Sequence, residues 1–126
     1  MIQGIGVDVI EIGRIKQAIE RFNDSFLNKV YTPTEIEHCR RGKSYGFAEL
    51  AARFAAKEAY SKALGVGILG LGRGKKGIKL TEVEVVNDSL GKPYIAAKGK
   101  ILDNVHLSLS HCREYAVATV YVEKQI

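Results

Sequence analysis

Ala48-Glu49-Leu50-Ala51-Ala52-Arg53-Phe54-Ala55-Ala56-Lys57-Glu58-Ala59-Tyr60-Ser61-Lys62-Ala63-Leu64, closed by Gly65, is the stretch that frames the rest of this chain. It reads as one helix ending at its glycine. At about 100° per residue, Leu50, Ala51, Phe54 and Ala55 fall on one apolar stripe. Glu58 lands in the middle of that stripe, and Lys62 follows one turn further along it. A carboxylate on a core-facing stripe is costly unless it is paired or holds a cation. The plain alternative is a routine Glu-to-Lys helix pair, worth about 0.3–0.5 kcal/mol when exposed. The stripe position favours a site. Arg53 and Lys57, on a flank of the same helix, read either as a solvated edge or as anion contacts.

Outward from this helix, the chain begins with a strand from Ile2 to Val9, apolar at Ile5, Val7 and Val9. An amphipathic helix from Glu11 to Phe22 follows, with Ile12, Ile15, Ile19 and Phe22 as its buried face. Arg14 and Arg21, seven residues apart, form a basic ridge on the other face. Thr32-Pro33-Thr34-Glu35 is a helix start, with a threonine cap, proline in the first turn and a capping-box glutamate. That helix is expected to stop near Arg41-Gly42. Beyond Gly65, the basic glycine-rich stretch from Gly67 to Gly77 reads as a loop, with Arg73, Lys75 and Lys76 as contacts for an acidic partner. It lacks the Ser or Thr that a P-loop places after its lysine. Strands are expected from Lys79 to Val86, Tyr94 to Ala97, Val105 to His111 and Tyr115 to Val122. Turns fall at Asp88–Pro93 and Cys112–Glu114. The class is α+β: helices packed on one face of a mainly antiparallel sheet, in a single domain over residues 1–126.

The chain has 126 residues, 46% of them hydrophobic and 26% charged, as in a soluble globular domain. That length is short for an enclosed active site, so an oligomer with sites between subunits is expected. No apolar run approaches the ~20 residues that span a bilayer. The N-terminus has no secretory pattern, and Cys39 and Cys112 show no C-x-x-C spacing; both fit free thiols in the cytoplasm. A net charge of +5 points to an acidic partner. The six Tyr and four Phe are not interleaved with basic residues, so no base-stacking platform for nucleic acid is evident.

Asp8 closes the first strand. Position alone suits a cap for the next helix, while Asp8 and Glu58 together offer hard oxygen donors for Mg²⁺. Without an H-x-x-x-H or cysteine cluster, zinc is disfavoured. His106, Ser108, Ser110 and His111 read as one polar strand face, either solvated or an anion site.

Taken together, Gly6-Val7-Asp8, Arg53-Phe54-Ala55-Ala56-Lys57-Glu58-Ala59 with Lys62, Gly91-Lys92-Pro93, and Leu107-Ser108-Leu109-Ser110-His111 followed by Tyr115-Ala116-Val117-Ala118 resemble the 4′-phosphopantetheinyl transferases. The length and Tyr31-Thr32-Pro33-Thr34-Glu35 resemble their small bacterial branch. The resemblance runs over essentially the whole chain; the long Gly67–Gly77 loop departs from it. It implies transfer of the phosphopantetheine arm of coenzyme A to a serine of an acyl carrier protein, releasing adenosine 3′,5′-bisphosphate, in support of fatty acid biosynthesis. By that resemblance Asp8 and Glu58 hold Mg²⁺, and Glu58 or a metal-bound water takes the serine proton. Lys62 steadies the leaving group. Arg53, Lys57, Ser110, His111 and Gly91-Lys92-Pro93 grip the nucleotide end. Arg14 and Arg21 dock the acidic carrier, and the assembly is a homotrimer. Two other readings stay open on the residues: a non-catalytic basic binding module, and another Mg²⁺-dependent phosphoryl-transfer enzyme such as a nuclease.

Overall fold

The computed structural model describes residues 1–68 and 77–125. In chain order the elements are β1 (Ile2–Glu11), α1 (Ile12–Phe22), α2 (Asp24–Val30), α3 (Pro33–His38), β2 (Arg40–Arg41), β3 (Ser44–Tyr45) and α4 (Phe47–Leu64). A 3-10 turn at Leu80–Glu82 leads into β4 (Val83–Asn87), β5 (Pro93–Ala97), β6 (Lys100–Ile101), β7 (Val105–His111) and β8 (Tyr115–Glu123). The α+β class stands. The antiparallel strands are shared among three sheets, ordered β1-β8-β7, β2-β3 and β4-β5-β6. Positions 69–76, with Arg73, Lys75 and Lys76, lie outside the described residues.

Helix α4 is the centre of the molecule. Its small side chains let it pack against β1, β8, β4 and α1, and Leu50, Ala51, Ala55, Ala56 and Ala59 are fully buried. A helix covered on nearly every side has no solvated flank. Arg53 and Lys57 are therefore buried too, against the solvated-edge reading.

Strand β1 meets α4 through Gly4, Gly6, Asp8 and Ile10, which share a sheet face with the buried Ala116, Ala118 and Val120 of β8. A Cβ at Gly6 would collide with the Ala59 carbonyl, and one at Gly4 with the Ala63 carbonyl. The glycines thus set how closely strand and helix approach. The apolar residues of β1, Ile5, Val7 and Val9, point the other way and are exposed.

Local capping chemistry explains several boundaries. Thr32 and Glu35 form the expected capping box, with Pro33 in the first turn of α3. That helix ends at His38, short of Arg41-Gly42, because the chain turns into the β2-β3 hairpin at Gly42, where φ is 59°. Helix α2 was not anticipated. The chain breaks at Asn23, in a positive-φ conformation, and core packing passes to Leu27 and Val30 of α2. Phe22, expected in the core, is left 53% exposed beneath the Arg21 guanidinium, 5.2 Å from its ring.

Candidate active site

Asp8 on β1 and Glu58 on α4 lie where these two elements pack, near enough that the Asp8 charge acts on the Glu58 carboxyl. Lys62 Nζ donates to Asp8 Oδ1 at 3.0 Å and to the Val7 carbonyl at 3.0 Å. The Lys62 side chain is 50% exposed and that of Asp8 17%. Glu58 lies half-buried one turn before Lys62. Burial, and after it the Asp8 charge, holds its carboxyl above the usual carboxylate range, while Lys62 pulls it back. Asp8 is not a cap for α1: its carboxylate faces α4, and α1 has no side-chain cap.

Two carboxylates against one ammonium leave the spot with one negative charge. Mutual repulsion of half-buried carboxylates is what a hard divalent cation relieves. Among the described residues no group of three or more His, Cys, Asp and Glu gathers into an all-protein cage. A two-carboxylate seat suits Mg²⁺, which fills its shell with waters and substrate phosphate oxygens.

Lys57 does not belong to this spot. Its ammonium and the Glu35 carboxylate are both 0% exposed, 2.6 Å apart. Lys57 also donates to the Val30 carbonyl at 2.8 Å. Glu35 accepts in addition from the backbone N–H groups of Thr32 and Val85, each at 2.9 Å. With its donors committed inside the core, Lys57 cannot grip a nucleotide phosphate as expected. Glu35, read from sequence only as a capping residue, in fact joins α3, α4 and β4.

Arg53 is only 4% exposed. Its Nη2 donates to Asn87 Oδ1 at 2.6 Å, and Asn87 Nδ2 donates to the Gly91 carbonyl at 3.0 Å. The guanidinium is thereby tied to the Gly91-Lys92-Pro93 turn. That turn is closed by Asp88 Oδ1 accepting from the Leu90 and Lys92 N–H groups. Arg53 Nε is buried, with no partner among the described residues. A cavity of about 260 Å³ opens beside it, lined among others by Thr34, His38 and Asn87. Asn87 was missed from sequence; its one signal was an amide ending the valine-rich strand segment Val83–Val86.

The polar face of β7 splits. His111 pairs with Ala116 and lies on the same sheet face as Asp8. Ser110 pairs with Val117 and projects from the opposite face with His106 and Ser108. A strand alternates, so Ser110 and His111 cannot share one face. Arg14 and Arg21 are exposed on α1, Arg14 with only a 3.7 Å contact to Glu11.

The family model of the 4′-phosphopantetheinyl transferase superfamily matches residues 4–120, and the chain belongs to that superfamily. Within it, the curated relatives are holo-[acyl-carrier-protein] synthases. That of Halothermothrix orenii is 42% identical over 132 residues, covering 98% of this chain and 99% of its own. That of Ruminiclostridium cellulolyticum is 46% identical over 122 residues, covering 90% and 87%. The holo-(acyl-carrier-protein) synthase of Bacillus anthracis, solved in complex with CoA (3′,5′-ADP), matches with a TM-score of 0.77 at 38% identity, covering 99% of each chain.

Proposed function

We infer that this protein is a phosphopantetheinyl transferase that moves the 4′-phosphopantetheine group of coenzyme A onto a serine of apo-acyl carrier protein. The serine oxygen forms a new bond to the phosphorus that carries the pantetheine arm. The bond from that phosphorus to the bridging oxygen breaks, and adenosine 3′,5′-bisphosphate leaves. The observation that carries the assignment of residues is the Asp8–Lys62 contact beside a half-buried Glu58.

In this reading Asp8 and Glu58 hold Mg²⁺, which when bound neutralises phosphate charge and polarises the phosphorus under attack. Lys62 donates to the oxygens on which charge develops as the bisphosphate departs. Glu58 would accept the serine proton. Arg53, with Asn87 and the Gly91-Lys92-Pro93 turn, holds the nucleotide end, joined by His111. The ridge of Arg14 and Arg21 steers the acidic carrier into place.

The working assembly is a homotrimer of single-domain subunits in the cytoplasm. Support comes from Ile5, Val7, Val9, Tyr115 and Tyr121, exposed apolar and aromatic residues on the outer face of the β1-β8-β7 sheet, a surface that copies of the chain would cover. Ser110, on that outer face, would then serve a neighbouring copy's site. Both cysteines are free, Cys39 buried and Cys112 exposed. Among the described residues no helix is long and apolar enough to cross a membrane.

The test is direct. Incubated with CoA, Mg²⁺ and apo-acyl carrier protein, the enzyme adds the mass of one phosphopantetheine group to the carrier; an unchanged carrier mass refutes the assignment. Light scattering of the pure protein checks for the trimer mass.

A further inference from the structure

We propose that Lys62 is an exchangeable counter-ion. Its ammonium binds Asp8 Oδ1, and a divalent cation held by Asp8 and Glu58 would displace it toward the substrate phosphates. The proposal rests on the reading of Asp8 and Glu58 as the Mg²⁺ seat.

The geometry points this way on three counts. The ammonium already binds one of the seat's own donor oxygens, Asp8 Oδ1, at 3.0 Å. Among the described residues its only other hydrogen-bond partner is the Val7 carbonyl, also at 3.0 Å. A doubly charged ion on Asp8 would stand within a few ångströms of a like charge, and that repulsion is strong in a half-buried setting. The lysine is also free to move. Its side chain is half exposed at the last turn of α4, and a four-carbon stem swings between rotamers without any backbone change. The contrast with Lys57, locked by Glu35 and Val30, marks Lys62 as the lysine of α4 able to change partner.

A binding consequence follows. Before the metal arrives, Lys62 is occupied and adds little to CoA binding. After eviction its three donors are available to the pyrophosphate. Metal and CoA then bind with positive coupling, reciprocal by linkage, and part of that coupling passes through this one side chain.

Calorimetry on the whole protein tests this in wild type and Lys62→Met, with Mg²⁺ alone, CoA alone, and CoA at saturating Mg²⁺. The expected result is that Mg²⁺ alone binds Lys62→Met about tenfold more tightly. CoA alone binds both proteins alike, and CoA with Mg²⁺ binds the variant at least tenfold more weakly, so the coupling collapses. Equal or weaker Mg²⁺ binding by the variant, or an undiminished coupling, overturns the exchange. Circular dichroism confirms that the variant is folded, and Lys62→Arg, which keeps the charge, is expected to retain most of the coupling. A wild type that takes up neither Mg²⁺ nor CoA would refute the seat itself, a result distinct from a wild type that binds both and a variant that matches it.

Discussion

Two lysines five residues apart on α4 each face a carboxylate, and the settings could hardly differ more. Lys57 and Glu35 are wholly buried, and between them they bond the backbone of Val30, Thr32 and Val85. Lys62 and Asp8 are partly wet, and a second carboxylate, Glu58, crowds them without a cation of its own. A desolvated pair with its hydrogen bonds complete has one low-energy arrangement, so it fixes where α3, α4 and β4 sit. A half-solvated trio carrying net negative charge is unfinished, and it gains by taking up a cation. In the proposed reading, chemistry belongs to the incomplete pair and rigidity to the complete one.

The sharpest way to break the contrast is at the incomplete pair. Glu58→Gln removes a charged donor while keeping shape. Turnover should fall by about 10²–10³-fold, with circular dichroism unchanged; undiminished turnover would remove Glu58 from the mechanism. The same substitution should make the metal-free protein more stable at neutral pH. Glu58 is pushed above its unfolded-state value, so its contribution to stability is present below that value and is lost as pH rises through the folded-state one. Melting temperatures of the metal-free protein from about pH 4 to 7 should show this decline in wild type and a flatter profile in the variant.

The complete pair should answer in the opposite sense. Lys57→Met strands a buried carboxylate and is expected to cost about 3–5 kcal/mol in urea unfolding. Glu35→Gln added to it should recover much of that loss. A loss of activity without loss of stability would mean that Lys57 touches substrate after all.

Spacing between strand and helix offers a finer probe. Gly6→Ala sets a methyl against the Ala59 carbonyl, where only movement of α4 or β1 relieves the clash. A cost of about 1–3 kcal/mol is expected, together with weaker Mg²⁺ binding, since the shift parts Asp8 from Glu58. Unchanged Mg²⁺ affinity would show that the seat tolerates a wider gap.

The smallest effect on stability should come from a third setting, the solvent. Arg14 has only a loose, exposed contact with Glu11, and such pairs add little. Charge reversal at Arg14 and Arg21 should leave the melting temperature alone and raise the KM for the carrier, not that for CoA, with the effect shrinking as salt is added. Equal effects on both substrates would count against the docking ridge.

Much of the frame was legible in the chain. Thr32-Pro33-Thr34-Glu35 announced a helix because capping chemistry is local. The long helix and the alternating strands carried their own periods. Burial was less legible, because periodicity assigns one dry face and α4 has nearly none that is wet. The solvated-edge reading of Arg53 and Lys57 failed for that reason, and Glu35 looked like an end cap because its partner lies 22 residues further on. Strand β1 hid its orientation: the alternation of Ile5, Val7 and Val9 marks a strand, while its helix-facing positions include two glycines and Asp8. Helix α2 and the β2-β3 hairpin were missed because single residues in positive φ, Asn23 and Gly42, make those breaks.

The bare stretch of β1 has a practical outcome for anyone who would transplant this chemistry. Copying Asp8, Glu58 and Lys62 onto another strand-and-helix scaffold is insufficient, because ordinary side chains at the two glycine positions would wedge the elements apart. For the proposed metal seat and its lysine alone the minimal graft is five residues, and two of them contribute only the room they leave empty.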